Sequence, residues 1–283
     1  MSFKAFEQDD FVVSADSITA GLWTGNAPEL TTFFTSSTQV ASSNGDYYIN
    51  VFNSESLEDI QFAIAYGDVD GSGSIEYDSV VEGKSPSSTS YGQYRTLVLG
   101  DELAEFTFGG EISPNFYAIS VDRNRYKGGL FPGSTTLLLE GPSGDIISLT
   151  DDSQQVATVQ FNDAGRVFQL ISGSAGVITT NATSLARSGY STSGSYGLFL
   201  PDIATYILNP SALDANVANG GILLGTTRGD NVDSENAGTL YDAIVDGATF
   251  TANSEETITS DFIFVRPRSS EFNYSENPSF ISG

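Results

Sequence analysis

No long stretch of the chain carries a helical repeat. Its apolar residues come instead in short alternating or continuous runs, cut by Gly, Ser, Asn and Asp. Runs of this kind, bounded by turn-forming residues, are the pattern of β-strands. Strands are predicted at 62–66 (FAIAY), 94–99 (YRTLVL), 106–108 and 116–126, the last alternating apolar and polar positions along much of its length. The runs 135–139 and 145–149 flank Gly-Pro-Ser-Gly, and the runs 156–161 and 166–171 flank Asn-Asp-Ala-Gly, so each pair predicts a hairpin. Further strands are expected at 196–200, 205–208, 222–224 and 262–265. Helix signals are few. Ser54 is placed to cap a turn over 55–59. Asn209-Pro210-Ser211 opens a short helix running to Ala215, with Gly220-Gly221 beyond it as a stop.

The expected class is mainly β, with one or more sandwich-like domains and one or two short helices. The polar run 82–90 reads as a loop or linker, 187–195 as a flexible Ser/Gly stretch and 226–237 as a polar loop. These signals divide the chain into a β-rich region at 1–110, a second at 111–265 and an extended C-terminal arm at 266–283. The arm holds isolated aromatics among Pro, Ser and Asn, too few to build a core of their own. It is expected to dock on its own domain or on a neighbour.

Composition narrows the chemistry more than the fold. The 283 residues include no Cys and no His. That removes disulfides, thiolate metal sites, serine-triad hydrolysis and His-ligated metal chemistry, and leaves carboxylate-only catalysis open. Thirty-six acidic against 11 basic residues give a formal charge of −25. Such a surface repels nucleic-acid backbones and anionic membranes, so neither is an expected partner. It serves solubility in a salty medium or is neutralised by basic neighbours in an assembly. The N-terminus lacks the basic start and apolar run of a signal peptide, and no apolar stretch approaches membrane-spanning length, so the expected site of synthesis is a cytosol.

The motif closest to a binding site is 68–79 (DVDGSGSIEYDS). It supplies oxygen ligands from Asp68, Asp70, Ser72 and Glu76, with Gly73 at the sixth position, as the opening of an EF-hand calcium loop does. Its twelfth position is Ser79, not the bidentate Glu, and its flanks read as strand and loop, so a Gly/Asp-rich turn is the competing reading. Arg123, Arg125 and Lys127 form the densest basic cluster. On the predicted strand they share one face, as a contact for an acidic partner or as ordinary surface ion pairs. The pairs Asp9-Asp10, Glu58-Asp59 and Asp151-Asp152 offer carboxylates for glycoside hydrolysis, but nothing singles out one pair. Trp23, Phe33, Phe34, Tyr47, Tyr48 and Phe52 suit a sugar-stacking platform, a β core or an interface. Arg228-Gly229-Asp230 matches an adhesion tripeptide, a match common by chance in Gly/Asp-rich loops. No catalytic, cofactor or metal residue is assigned.

Several phrases taken together resemble a known group. In order, they are FAIAYGDVDGSGS (62–74), SYGQYRTLVLG (90–100), FTFGG (106–110), FYAISVDRNRYKGGLFPGSTTLLLEG (116–141), ISLTDDS (147–153) and RPRSSEFNYSENPSF (266–280). This order resembles virion proteins of T4-like phages, especially those infecting cyanobacteria, and most of all a baseplate wedge subunit of a contractile tail. The resemblance covers roughly residues 60–280, with gaps. It implies a non-enzymatic structural protein without cofactors, located in the tail baseplate after assembly in the host cytoplasm. Its implied partners are other tail or baseplate proteins and copies of itself. A head decoration or neck protein of the same virion, and a calcium-dependent carbohydrate-binding or adhesin module, are the alternatives.

Overall fold

The computed structural model describes residues 10–35, 48–73, 85–179, 189–229 and 236–264. In chain order the strands are β1 (Phe11–Gly21), β2 (Glu29–Leu30), β3 (Ile49–Phe52), β4 (Ile60–Asp68), β5 (Phe106–Phe108), β6 (Glu111–Ser113) and β7 (Asn115–Val121). They continue with β8 (Gly129–Leu130), β9 (Thr136–Glu140), β10 (Ile146–Asp151), β11 (Gln160–Asn162), β12 (Gly165–Ser174) and β13 (Val177–Ile178). The last are β14 (Gly197–Leu200), β15 (Thr205–Leu208), β16 (Phe250–Thr251) and β17 (Asn253–Ile263). Among the described residues, three α-helices join them: α1 (Pro86–Leu99), α2 (Pro210–Asp214) and α3 (Asn236–Gly247). The chain is mainly β with few helices, as its pattern predicts.

Contacts divide the chain into two compact units. The larger, Thr19–Glu256, holds a 12-stranded sheet in the order β2-β16-β9-β10-β12-β14-β15-β7-β4-β3, with β11 and β13 also paired to β12. Residues on either side of position 110 share this sheet, because β4 and β7 pair antiparallel from Phe62↔Val121 to Asp68↔Asn115. From β16 to β4 is seven steps, about 34 Å in a flat sheet at the usual strand spacing. Yet the Phe62 and Phe250 rings lie 5.6 Å apart, and Tyr206 and Phe250 5.5 Å apart. The sheet therefore curls until its inner face packs on itself.

The central strands read as continuous apolar runs because both their faces are buried. Phe62, Ile64, Tyr66, Tyr117, Ile119, Phe199 and Tyr206 point into the inner core, where α3 adds Leu240 and Ile244 and α2 adds Leu213. The alternate residues Ala65, Phe116, Ala118, Leu198 and Ile207 point the other way, onto Tyr91 and Val98 of α1 and Phe106 and Phe108 of β5. Trp23 closes the inner core, its Nε1 donating to the Phe250 carbonyl at 2.8 Å.

The smaller unit is Met1–Ile18 with Thr257–Gly283. Its described part is a ribbon of β1 and β17, hydrogen-bonded neighbours, with the Phe264 N–H donating to the Asp10 carbonyl at 2.9 Å. No helix among the described residues is long and apolar enough to cross a membrane.

Both hairpins form: β9 pairs with β10 through Ile147↔Leu139, and β11 with β12 through Phe161↔Arg166. The short helix after Asn209 also forms, its cap oxygen accepting from the Ser211 N–H. Five expectations are corrected. Residues 94–99 belong to α1, not to a strand, and 86–90 of the supposed linker are its first turns. Ser85 caps this helix and Pro86 sits at its start, a signal hidden in a Ser-rich run. The strand expected over 116–126 stops at Val121 and gives way to a 3-10 turn at Arg123–Arg125, where Asp122 accepts from the Asn124 N–H. Residues 222–224 are not a strand: Ile222 and Leu224 both bond the Leu213 carbonyl, and Leu223 between them adopts φ 52°. Residues 236 and 237, read as loop, begin α3. The arm at 266–283 lies outside the described residues.

Candidate functional site

The calcium-like motif begins where β4 ends. Asp68 closes that strand with its carboxylate wholly buried. Backbone geometry then turns the chain sharply, with Gly71 at φ 81° and Gly73 at φ 73°, values only Gly adopts without strain. The turn returns its own donors to the carboxylate. The Asp70 and Ser72 N–H groups donate to Asp68 Oδ1 at 2.9 and 3.3 Å, and Tyr66 Oη donates to Oδ2 at 3.4 Å.

Charge balance comes from a residue 160 positions away. Arg228 Nε pairs with Asp68 Oδ2, and its Nη2 reaches Asp68 Oδ1 at 3.3 Å and Asp70 Oδ2 at 3.0 Å. Asp68 in turn holds the guanidinium above its ordinary value, chiefly through that hydrogen bond. Burial pushes the Tyr66 hydroxyl far up as well, against the lowering effect of a 2.9 Å bond from Asn115 Nδ2. Both carboxylate oxygens of Asp68, which a cation would need, are thus already met by Arg228, the Tyr66 hydroxyl and backbone donors.

The same cluster ties three segments together. Asn236, at the start of α3, donates from Nδ2 to the Gly73 and Thr227 carbonyls at 2.8 Å and accepts from the Thr227 N–H at 2.9 Å. Ser85 Oγ donates to the Gly71 carbonyl at 2.6 Å and accepts from the Ser88 N–H, while Ser87 Oγ donates to the Ser72 carbonyl. The first residues of α1 and α3 are therefore both pinned to the turn that follows Asp68. Glu76 and Ser79 lie outside the described residues, as does Asp230 of the tripeptide. Arg228 of that tripeptide is spent on Asp68 and Asp70.

The other candidates disperse. Arg123 wraps onto its own chain, bonding the Tyr126 and Lys127 carbonyls. Arg125 meets Asp59 at 3.5 Å, and Lys127 meets Glu256 at 3.0 Å. The cluster is a set of separate contacts, not one basic face, because the 3-10 turn breaks the strand alternation. Of the carboxylate pairs, Asp151 takes the Gly133 N–H at 2.9 Å on both oxygens and the Ser153 N–H at 3.2 Å, with burial holding its carboxyl above the ordinary range. Asp152 Oδ1 accepts from the Gln169 N–H at 3.0 Å. These acids close turns and present no facing pair across a cleft. Asp9 lies outside the described residues. Trp23, Phe33 and Phe52 are buried in the core, Phe34 is half-buried and Tyr48 is exposed, so no platform of rings forms; Tyr47 lies outside the described residues.

A polar cleft of about 330 Å³ lies between β6 and the segment before α2, lined by Glu111, Ser113, Thr192, Ser193, Asn209 and Ser211. Its best-placed polar groups already serve the fold: Asn209 Nδ2 donates to the Ser193 and Ser195 carbonyls, and Ser113 Oγ to the Asn115 carbonyl. The ribbon of the smaller unit was legible only at one end: of the strand expected over 262–265, residues 262 and 263 close β17, whereas nothing marked β1. Its long strands expose Val12, Val13, Ile18, Phe262 and Ile263.

No protein-family model, curated protein or solved structure matches this chain.

Proposed function

We propose that the chain is a non-enzymatic structural protein of a tailed-phage virion, a baseplate wedge component that builds the tail baseplate through contacts with other tail and baseplate proteins. The observation that carries the reading is the apolar ribbon. Exposed aliphatic and aromatic side chains on a two-stranded element are the kind of surface that marks interaction sites. The order of sequence phrases, which resembles that of T4-like phage tail proteins, supports the placement in the tail. The polar clusters agree: Asp68, Asp151 and Asp152 hold the chain's own backbone and Arg228. A calcium-dependent binding module would need Asp68 as first ligand, and Arg228 stands in that place.

The test is a conditional allele. A nonsense codon early in the reading frame, grown in a host that does not suppress it, is expected to yield filled heads without contractile-tail baseplates. Particles of normal appearance and infectivity would contradict the role.

A further inference from the structure

We infer that the ribbon of the smaller unit is a docking element for the strand edge of a partner protein in which apolar and basic residues alternate. The inference deepens the assembly reading and rests on it. An isolated two-stranded ribbon is marginal in water, and three strands or a covering layer are needed for independent stability. Side chains alternate along each strand, so Val12 and Ile18 leave one face of β1 and Val13 the other, while Ile258 and Phe262 leave one face of β17 and Ile263 the other. Val13 is 67% exposed, Phe262 53% and Ile263 52%. Each strand thus presents apolar groups on both faces, and the ribbon alone cannot bury them.

The edges point the same way. β8 pairs with β17 only at Ser254 and Glu255, so from Thr257 onward β1 is the one strand beside β17 among the described residues. Among the described residues β1 has no other strand beside it. Exposed edges are normally blunted by Lys, by Pro or by short length. Residues 10–21 and 253–264 contain neither Lys, Arg nor Pro, and each strand is 11 residues long. These edges are suited to accepting another strand by main-chain hydrogen bonds, with side chains at alternate positions supplying specificity.

Charge selects the occupant. The smaller unit's described residues carry Asp10, Asp16 and Asp261 and no basic residue, and Asp16 and Asp261 are exposed. A second copy would bring another −25 charge to this surface. A partner strand with Lys or Arg between its apolar residues meets both the aliphatic groups and the two aspartates.

The probe is a synthetic peptide of about nine residues alternating Val and Lys, long enough to span the exposed part of one strand, with a Val/Glu peptide of the same length as its counterpart. The full chain is expected to bind the Lys peptide at least about tenfold more tightly than the Glu peptide, the margin shrinking in high salt. Amide hydrogen exchange should slow at 11–18 and 257–263. The double variant Asp16→Lys with Asp261→Lys, at exposed positions and with an unchanged melting temperature as its folding control, should reverse the preference. Equal binding of the two peptides, protection elsewhere, or an unreversed preference would overturn the inference. So would self-association by sedimentation that Val13→Lys abolishes, or binding to phosphatidylcholine vesicles in place of the peptide. Failure of peptide binding beside tail-tip location sinks the ribbon and leaves the assembly role standing. Peptide binding by a chain absent from every particle keeps the ribbon and removes the virion role.

Discussion

Asp68 and Arg228 show how one ion pair can decide what a motif does. Asp68 is wholly buried, while Arg228 keeps about a third of its side chain exposed. Removing the cation leaves a buried carboxylate with only neutral donors, so Arg228→Ala is expected to lower stability by about 2–3 kcal/mol, below the full range for buried pairs because water reaches the guanidinium. Chemical denaturation measures it, and a midpoint unchanged from the parent would contradict the pairing. The same geometry predicts that millimolar calcium leaves the melting temperature where it is, since a ligand that binds only the folded state raises it. A clear rise would return the loop to the calcium reading. The tyrosines give a pH signature. Burial raises the Tyr196 hydroxyl to about 12 and pushes Tyr66, Tyr117 and Tyr206 up with it. An acid with a raised folded value keeps its proton in the folded chain after the unfolded chain has lost it, so stability is unaffected below the ordinary value of 10.0 and falls as pH climbs above it. Alkaline titration should therefore show part of the 13 tyrosines ionising first and the buried ones appearing together with unfolding. A single smooth titration of all of them would contradict the packed core.

Among the elements, α1 depends most on its first turn. Ser85 Oγ accepts from the Ser88 N–H and donates to the Gly71 carbonyl, so one hydroxyl both caps the helix and fastens it to the turn after β4. Ser85→Ala is expected to cost about 1–2 kcal/mol, measured by thermal unfolding. A loss no larger than an ordinary surface substitution, about 0.5 kcal/mol, would show the cap to be dispensable. This helix was hidden in the sequence for a physical reason. Its core contacts are few and widely spaced, Tyr91 and Val98 above all, and Ser, Thr and Gly fill the remaining turns. The run YRTLVL looked apolar enough for a strand, but tertiary packing on β4 and β7 overrode that local preference. The strands were legible where turn chemistry framed them, as at Gly-Pro-Ser-Gly and Asn-Asp-Ala-Gly. The α2 start was legible because Asn209-Pro210 carries a cap and a fixed φ in two residues. The candidate cluster was only half legible. Asp68 and Asp70 stand out by spacing, whereas Arg228 and Asn236 join them through the fold, and no local pattern marks either.

At the scale of the molecule, a sheet curled onto its own aromatic core supplies stability, and the ribbon supplies surface. Among the described residues of the larger unit, Arg166 bridges Asp202 and Glu255, and Lys127 meets Glu256. The chain as a whole still carries a formal charge of −25, which the proposed assembly would offset if its neighbours are basic. As proposed, this chain is a tail component acting by contact. Immunogold electron microscopy of intact particles with an antibody raised against the chain tests it most directly. Label at the tail tip is the predicted result. Label on the head or neck would contradict the wedge role, and particles without label would contradict the virion role altogether.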